Sequence, residues 1–157
     1  SDHNYEMRIL NAVEDVNEKQ KLILFEKFHK HFKGSIEGKK VTIWGLSFKP
    51  GTDDIREAPA LVIIDMLLKS DCIITVYDPV AMNEAKNILG DKVIYAQDLY
   101  SSVLDANAIF HVTEWKEFRM PNWEVIKRSM QPEPVLFDGR NVYNPSNLDE
   151  IEYYRIG

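Results

Sequence analysis

After Gly38, short apolar runs alternate with amphipathic segments, and this alternation restricts the chain to one class of fold. Near-continuous apolar strands that alternate with helices form a parallel sheet covered by helices on both faces. We therefore predict an α/β fold with a doubly wound, mostly parallel, Rossmann-like sheet. Apolar runs predict strands at 40–46, 72–78, 92–96, 107–113 and 134–139, and the segments between them predict helices at 59–69, 80–90, 97–106 and 122–130.

A longer amphipathic segment precedes the sheet region. Apolar side chains recur with helical spacing from about Glu6 to Lys33, and Gly34 is placed to end the helix. We therefore expect residues 1–36 to form a long connector helix and residues 37–157 to form the α/β domain. The periodicity fits an exposed connector and a first helix packed along the domain's own sheet equally well.

Composition and charge exclude several classes of function. The 157 residues carry a formal net charge of −6 without a long Lys/Arg block, so a nucleic-acid or anionic-membrane surface is not expected. The apolar runs fall short of the ~20 residues that a membrane span needs. The N-terminus lacks the basic and apolar pattern of a signal peptide, so we expect a cytoplasmic protein.

Polar residues that follow the predicted strands are the candidates for a site, because ligands of doubly wound sheets bind beyond the carboxyl ends of the strands. These residues lie in 45-GLSFK-49, 78-DP-79, 113-TEW-115 and 138-DGRN-141. Lys49 and Arg140 are placed to converge on one anion. Alternatively, Arg140 forms a structural salt bridge with Asp53, Asp54 or Glu57.

Other reactive side chains are weaker candidates. Asp78 lies too far beyond Gly45 for the ~20-residue spacing of a ribose-binding acid, and a strand-ending Asp-Pro is more typical of a capped turn. Cys72 is expected to be a small buried hydrophobe, and the four histidines lack metal-ligand spacing. Without an assembled nucleophile, base and oxyanion hole, we predict no catalytic residue and no metal, and interpret the chain as a binding module.

Four motifs occur in order at the predicted strand ends. They are G-L-S-F-K-P-G-T-D-D-I-R-E-A-P at 45–59, V-Y-D-P-V-A at 76–81, T-E-W-K-E-F at 113–118 and D-G-R-N-V-Y at 138–143. Together they closely resemble the C-terminal, UDP-binding domain of the UDP-glucose 6-dehydrogenases, within the UDP-glucose/GDP-mannose dehydrogenase family. The stretch 9-ILNAVEDVNEKQK-21 resembles the end of the long central helix of that family, so the resemblance covers almost the whole chain.

The resemblance implies roles for individual residues. Phe48 and Lys49 match a Phe-Lys pair that lies against the sugar nucleotide, with the lysine supplying charge to it. Arg140 matches an arginine that reaches the same substrate. Arg56 matches an arginine that contacts NAD, which the family holds mainly on another domain. The loop at 45–59 would thus close over a nucleotide sugar from one side.

The resemblance also implies an activity that this sequence does not complete. Family members are expected to oxidise UDP-glucose to UDP-glucuronate with two NAD through a thioester on a cysteine. That cysteine lies upstream of the central helix, Cys72 does not match it, and the NAD-binding domain with its glycine fingerprint is missing. We therefore expect an inactive fragment of a cytoplasmic dehydrogenase whose partners are UDP-glucose, the N-terminal part of the enzyme and a second copy paired through the long helix.

Three alternatives remain at this level. Relatives that act on UDP-N-acetylmannosamine or GDP-mannose share the F-K and R-E elements, although the T-E-W and D-G-R-N-V-Y forms look more like the UDP-glucose branch. A stand-alone nucleotide-binding or receiver-like regulatory domain is a second alternative, suggested by Asp78 after a strand. Against it, Asp53 and Asp54 lie inside a loop instead of directly after the first strand. An intact enzyme that uses Cys72 is the third.

Overall fold

The computed structural model describes residues 21–56 and 58–156. Its centre is a six-stranded sheet in the order β3-β2-β1-β4-β5-β6, and every neighbouring pair of strands is parallel. The predicted doubly wound α/β fold is therefore confirmed, and the order reverses between β1 and β4. The strands are β1 (Lys40–Trp44), β2 (Ile73–Tyr77), β3 (Ile94–Tyr95), β4 (Ala108–His111), β5 (Val135–Asp138) and β6 (Glu152–Arg155).

Four α-helices accompany the sheet in the described residues. They are α1 (21–31), α2 (Pro59–Lys69), α3 (Met82–Leu89) and α4 (Trp123–Ser129). Pro59 opens α2 at the first helical position, where its missing N–H is not needed. The side chain of Asn122 caps α4 by accepting a hydrogen bond from Val125 N. The predicted helices at 59–69, 80–90 and 122–130 are thus confirmed.

The helix predicted at 97–106 is wrong, because only one turn of 3-10 helix, Ser101–Val103, forms there. Ser101 N donates to Asp98 Oδ1, and the Ser102 hydroxyl donates to Leu99 O. Side chains that bond so close to their own backbone compete with the helical hydrogen bonds. Asp105, with φ of 61°, then turns the chain toward β4.

Strand β6 was not expected from the sequence. It lies at the edge of the sheet beside β5, with its terminal residues Glu152 and Arg155 exposed and its two tyrosines partly buried. An edge strand with charged ends lacks the continuous apolar run that revealed the central strands.

The core has two layers, one on each face of the sheet, because successive strand residues point to opposite faces. Val41 and Ile43 of β1 face the layer covered by α1, α2 and α3, whereas Trp44 faces the layer covered by α4 and the 3-10 turns. In the second layer the Trp44 and Phe118 rings stack with centroids 5.1 Å apart.

Helix α1 packs along the domain's own sheet. Phe28 is fully buried, and its ring lies 5.3 Å from that of Phe110 and 5.7 Å from that of Phe137. Gly34, with φ of 83°, donates its N–H to His29 O and ends the helix as predicted. The part of the predicted long helix before residue 21 lies outside the described residues. Among the described helices, none is long and apolar enough to cross a membrane.

Candidate functional site

A cavity of about 280 Å³ opens at the carboxyl ends of β1, β4 and β5, where the strand order reverses. Three residues proposed from the sequence, Phe48, Lys49 and Arg140, line it together. Phe48 is 58% exposed although it is aromatic, so its ring is available to a ligand at the cavity mouth. The other lining residues are Lys21, Leu24, Pro59, Ile63, Val112, Gly139 and Ile156.

The charge of this cavity is opposite to that of the chain as a whole. Lys21, Lys49 and Arg140 line it, and no acidic side chain is among its described lining residues. Within residues 21–56 and 58–156, no carboxylate lies within ion-pair distance of Lys49. A local group of cations in a chain of net charge −6 is suited to one small anion and not to a polyanion.

The turn after β1 is held by the buried carboxylate of Asp78 at the end of β2. Asp78 Oδ2 accepts hydrogen bonds from Leu46 N at 2.8 Å and Ser47 N at 3.2 Å. Trp115 Nε1 donates to the same oxygen at 2.9 Å. Asp78 Oδ1 accepts from the backbone N–H groups of residues 80–81, which confirms the capped turn predicted for this residue. Asp78 therefore joins three loops at one edge of the sheet.

Gly45 brings the same turn into close contact with the loop after β4. A Cβ at this position would lie 2.5 Å from both Thr113 N and Thr113 Cβ. Gly45 also has φ of 94°, which glycine adopts readily and other residues do not. Thr113 Oγ1 donates to Ser47 O at 2.7 Å and fastens the two loops together.

We predict that Gly45→Ala destabilises the protein much more than Gly38→Ala. Gly38 also has positive φ, of 79°, but nothing lies within 4 Å of an added Cβ there. Gly38→Ala should therefore cost only the backbone strain, ~1–2 kcal/mol. Gly45→Ala should cost a further ~1–3 kcal/mol for the steric overlap. Urea unfolding of both variants measures the difference, and equal losses would contradict the contact with Thr113.

A second buried carboxylate, Asp138 at the end of β5, shapes the loop that carries Arg140. Asp138 accepts hydrogen bonds from Arg140 N and Val142 N, both at 2.8 Å, and from the Tyr153 hydroxyl at 2.6 Å. His111 Nδ1 lies 3.0 Å from Asp138 Oδ1. Because a carboxylate only accepts hydrogen bonds, the Nδ1–H of His111 is the donor.

These contacts set the protonation of Asp138. Burial alone would raise the pKa of this carboxyl, but hydrogen bonds from His111, Tyr153 and the Arg140 N–H outweigh burial and lower the pKa to about 2. The carboxylate form is therefore the one that holds the loop, because protonation would reduce the capacity of Asp138 to accept hydrogen bonds from these donors.

We predict a pH-dependent stability difference between the wild type and Asp138→Asn. The pKa of Asp138 is lower in the folded state, about 2, than the ~4 of an unfolded Asp. The stabilisation is thus complete above pH ~4 and is lost as the pH falls toward 2. The wild type should exceed Asp138→Asn in free energy of unfolding at pH 6, and the gap should narrow from pH 4 to pH 2. A constant gap in urea titrations over that range would contradict the assignment.

The arginine of this loop pairs with a carboxylate that was not among the partners suggested by the sequence. Arg140 pairs with Glu114, with Nη2 to Oε1 at 3.1 Å, and not with Asp53 or Asp54. Glu57 lies outside the described residues. Asp54 instead pairs with Arg56, Nε to Oδ1 at 3.2 Å, and hydrogen bonds from the Arg56 side chain hold the pKa of Asp54 below its usual value.

Two of the residues singled out from the sequence lie outside the cavity. Arg56 is not among its lining residues, and its side chain is 83% exposed. Cys72 is buried at the amino end of β2, the opposite edge of the sheet, and burial raises the pKa of its thiol to about 11. A protonated thiol so far from the cavity is not a nucleophile for a ligand there. The described residues contain no cluster of side chains that could hold a metal ion.

Sequence reasoning did not identify two residues of this region. Glu114 belongs to the T-E-W motif in the loop after β4, and β4 neighbours the strand that precedes Arg140. Once the strand order is known, the adjacency of β4 and β5 indicates that Glu114 and Arg140 lie close together. Lys21 was assigned only to the long helix, and its place in the cavity follows from the packing of α1, which periodicity did not decide.

A doubly wound sheet with a cation-lined cavity at the reversal of its strand order defines a ligand-binding domain of the Rossmann-like α/β class. Residues 42–145 match the model of the UDP-glucose/GDP-mannose dehydrogenase family, UDP binding domain. The chain belongs to this family. The match favours the dehydrogenase interpretation over a receiver-like domain.

Curated relatives and solved structures agree with this membership. The chain is 42% identical to a UDP-glucose 6-dehydrogenase of Pseudomonas aeruginosa over 98% of its own length and 35% of the relative's. It is 36% identical to a UDP-glucose 6-dehydrogenase of Bacillus subtilis, with 98% and 33% covered. A UDP-glucose dehydrogenase structure from Pyrobaculum islandicum superposes with a TM-score of 0.80 at 28% identity, over 96% of this chain and 32% of that one. The chain thus spans about a third of the length of these relatives.

Proposed function

We propose that this chain is the UDP-sugar-binding part of a UDP-glucose 6-dehydrogenase, which oxidises UDP-glucose to UDP-glucuronate with two NAD. The observation that carries the proposal is the convergence of Phe48, Lys49 and Arg140 on one cavity at the switch in strand order. The names of the curated relatives support the same choice of substrate.

The chemistry of the three side chains suits a nucleotide sugar. A diphosphate offers several acceptor oxygens and negative charge, which Lys49 meets as a point charge and Arg140 as a planar fork of donors. Phe48 presents an exposed aromatic face at the mouth of the cavity, on which a ring of the ligand can lie. Lys49 and Arg140 therefore bind and orient the diphosphate, and Phe48 covers it.

The described residues do not form a cradle for a dinucleotide. A dinucleotide site needs a glycine-rich turn whose backbone N–H groups face a pyrophosphate. Here Leu46 N and Ser47 N donate to Asp78, and Thr113 fills the space beside Gly45 that a phosphate would need. We propose that Arg56, exposed beside the cavity loop, supplies one contact to NAD and that residues outside this chain hold most of the cofactor.

A titration with separate ligands tests the proposal. We expect UDP and UDP-glucose to produce measurable heat with the 157-residue chain, GDP-mannose to produce less, and NAD to produce almost none. No NADH should form from UDP-glucose and NAD, because Cys72 is buried at the opposite edge of the sheet. An equal response to GDP-mannose would assign the chain to another branch of the family, and no response to UDP would contradict the proposal.

Variants of the cavity cations sharpen the same titration. Lys49→Ala and Arg140→Ala should each weaken UDP-glucose binding by ~1.5–3 kcal/mol, the range for hydrogen bonds to charged groups. Arg56→Ala should leave the affinity for UDP nearly unchanged, since Arg56 does not line the cavity. The exposed residues Lys92 and Arg128 lie away from the cavity and provide the matched controls Lys92→Ala and Arg128→Ala.

One result would overturn this division of roles. If Arg56→Ala abolished UDP binding while circular dichroism showed a folded protein, the anion would sit at the start of α2 and not between Lys49 and Arg140.

We also propose that two copies of the chain pair through the predicted long helix. Of the apolar stripe predicted there, Phe28 lies in the core of the domain, so any pairing must use the residues before it. Sedimentation should show a dimer for residues 1–157 and a monomer for residues 21–157, a deletion that leaves Leu24 and Phe28 in place. A monomer in both cases would contradict pairing through the helix.

A further inference from the structure

Each residue of the T-E-W motif bonds to a different one of the other three motifs. Thr113 Oγ1 donates to the carbonyl of Ser47 at 2.7 Å, and Trp115 Nε1 donates to Asp78 at 2.9 Å. Glu114, between them, accepts a hydrogen bond from Arg140 at 3.1 Å. The two outer residues hold the cavity loops in place, and the middle one reaches a side chain that lines the cavity.

The carboxylate of Glu114 is held on both sides along the chain. Its neighbours Thr113 and Trp115 are fixed by their own side-chain bonds, and Trp115 N donates to Thr113 O at 2.9 Å. The Glu114 side chain is only 27% exposed. A glutamate with so constrained a backbone presents its carboxylate in a narrow range of positions.

Arg140 needs such a partner. Asp138 fixes the backbone N–H of Arg140, but the guanidinium stands at the end of a long side chain that is 48% exposed. An arginine loses considerable rotamer freedom when it is fixed. The bond to Glu114 restrains the guanidinium, and it uses one of five N–H donors, leaving others for a ligand.

We propose that Glu114 is the positioning residue for Arg140: it holds the guanidinium at the cavity before the nucleotide diphosphate arrives. This assignment rests on the proposed function. The ordering of Arg140 is then complete in the free protein, so that binding does not have to supply it.

The negative charge of Glu114 does not cancel the attraction for an anion. Glu114 is not among the cavity-lining residues, whereas Arg140, which it contacts, is one of them. Arg119 Nη2 also lies 4.0 Å from Glu114 Oε2, which gives the group of two arginines and one glutamate a net charge of +1. Lys49 adds a further positive charge in the cavity.

Calorimetric titration with UDP in a double-mutant cycle tests the assignment. We expect Glu114→Ala to weaken binding about 3- to 10-fold, the range for ordering one flexible side chain. Glu114→Gln keeps an oxygen acceptor and should stay close to the wild type. In an Arg140→Ala background, Glu114→Ala should have no further effect, because there is no guanidinium left to hold. Glu84→Ala, which removes an exposed carboxylate on α3, is the matched control.

A measurement without ligand separates this inference from the proposed function. In ¹⁵N NMR relaxation of the free chain, the Arg140 Nε–H should be more rigid than the Nε–H of Arg128, should become mobile in Glu114→Ala and should remain rigid in Glu114→Gln. Absence of UDP binding with a rigid Arg140 would overturn the function and leave the Glu114 contact in place.

Two results would overturn the assignment itself. An equal loss of UDP affinity on Glu114→Ala with and without Arg140 would mean that Glu114 only stabilises its loop. Tighter UDP binding by Glu114→Ala would mean that Glu114 competes with the ligand for the guanidinium.

Discussion

The carboxylate of Asp78 is the interaction on which the candidate site depends. It is almost fully buried, and it accepts hydrogen bonds from donors of three loops that would otherwise lack partners. A buried N–H without an acceptor costs ~1–3 kcal/mol, so these loops adopt their positions together or not at all. The turn after β1, the start of the chain after β2 and the indole of Trp115 are thereby fixed relative to one another.

This arrangement explains how the loop after β1 differs from a dinucleotide turn. In a Rossmann dinucleotide site, the backbone N–H groups after the first strand point at the phosphates. Here the N–H groups of Leu46 and Ser47 donate to Asp78 and are not available to a phosphate, so the positive charge comes from side chains. Lys49 and Arg140 supply it from the loops after β1 and β5, the two strands on either side of β4, and Asp78 serves as an internal anion.

The central fold was predictable because buried parallel strands leave continuous apolar runs that alternate with amphipathic segments. The prediction of a helix at 97–106 failed because local hydrogen bonds of Ser101 and Ser102 compete with the helical hydrogen bonds that the periodicity indicates. Strand β6 was not predicted because an edge strand does not need the continuous apolar run of a buried strand. Lys49 and Arg140 could be predicted as site residues because each lies in a loop that follows a strand of the sheet. The partner of Arg140 was not predicted. The order of the strands decides whether Glu114 or Asp54 lies near Arg140, and no local sequence pattern encodes that order.

The place of Phe28 between Phe110 and Phe137 has a mechanical consequence. Because its ring is a wedge in the domain core, the end of α1 cannot rotate against the sheet without opening a cavity of the kind that costs ~3–5 kcal/mol. Helix α1 and the sheet therefore move together as one rigid body. Lys21 and Leu24 of this helix line the cavity, so the wall that they form keeps its position relative to the strand ends whenever the domain moves.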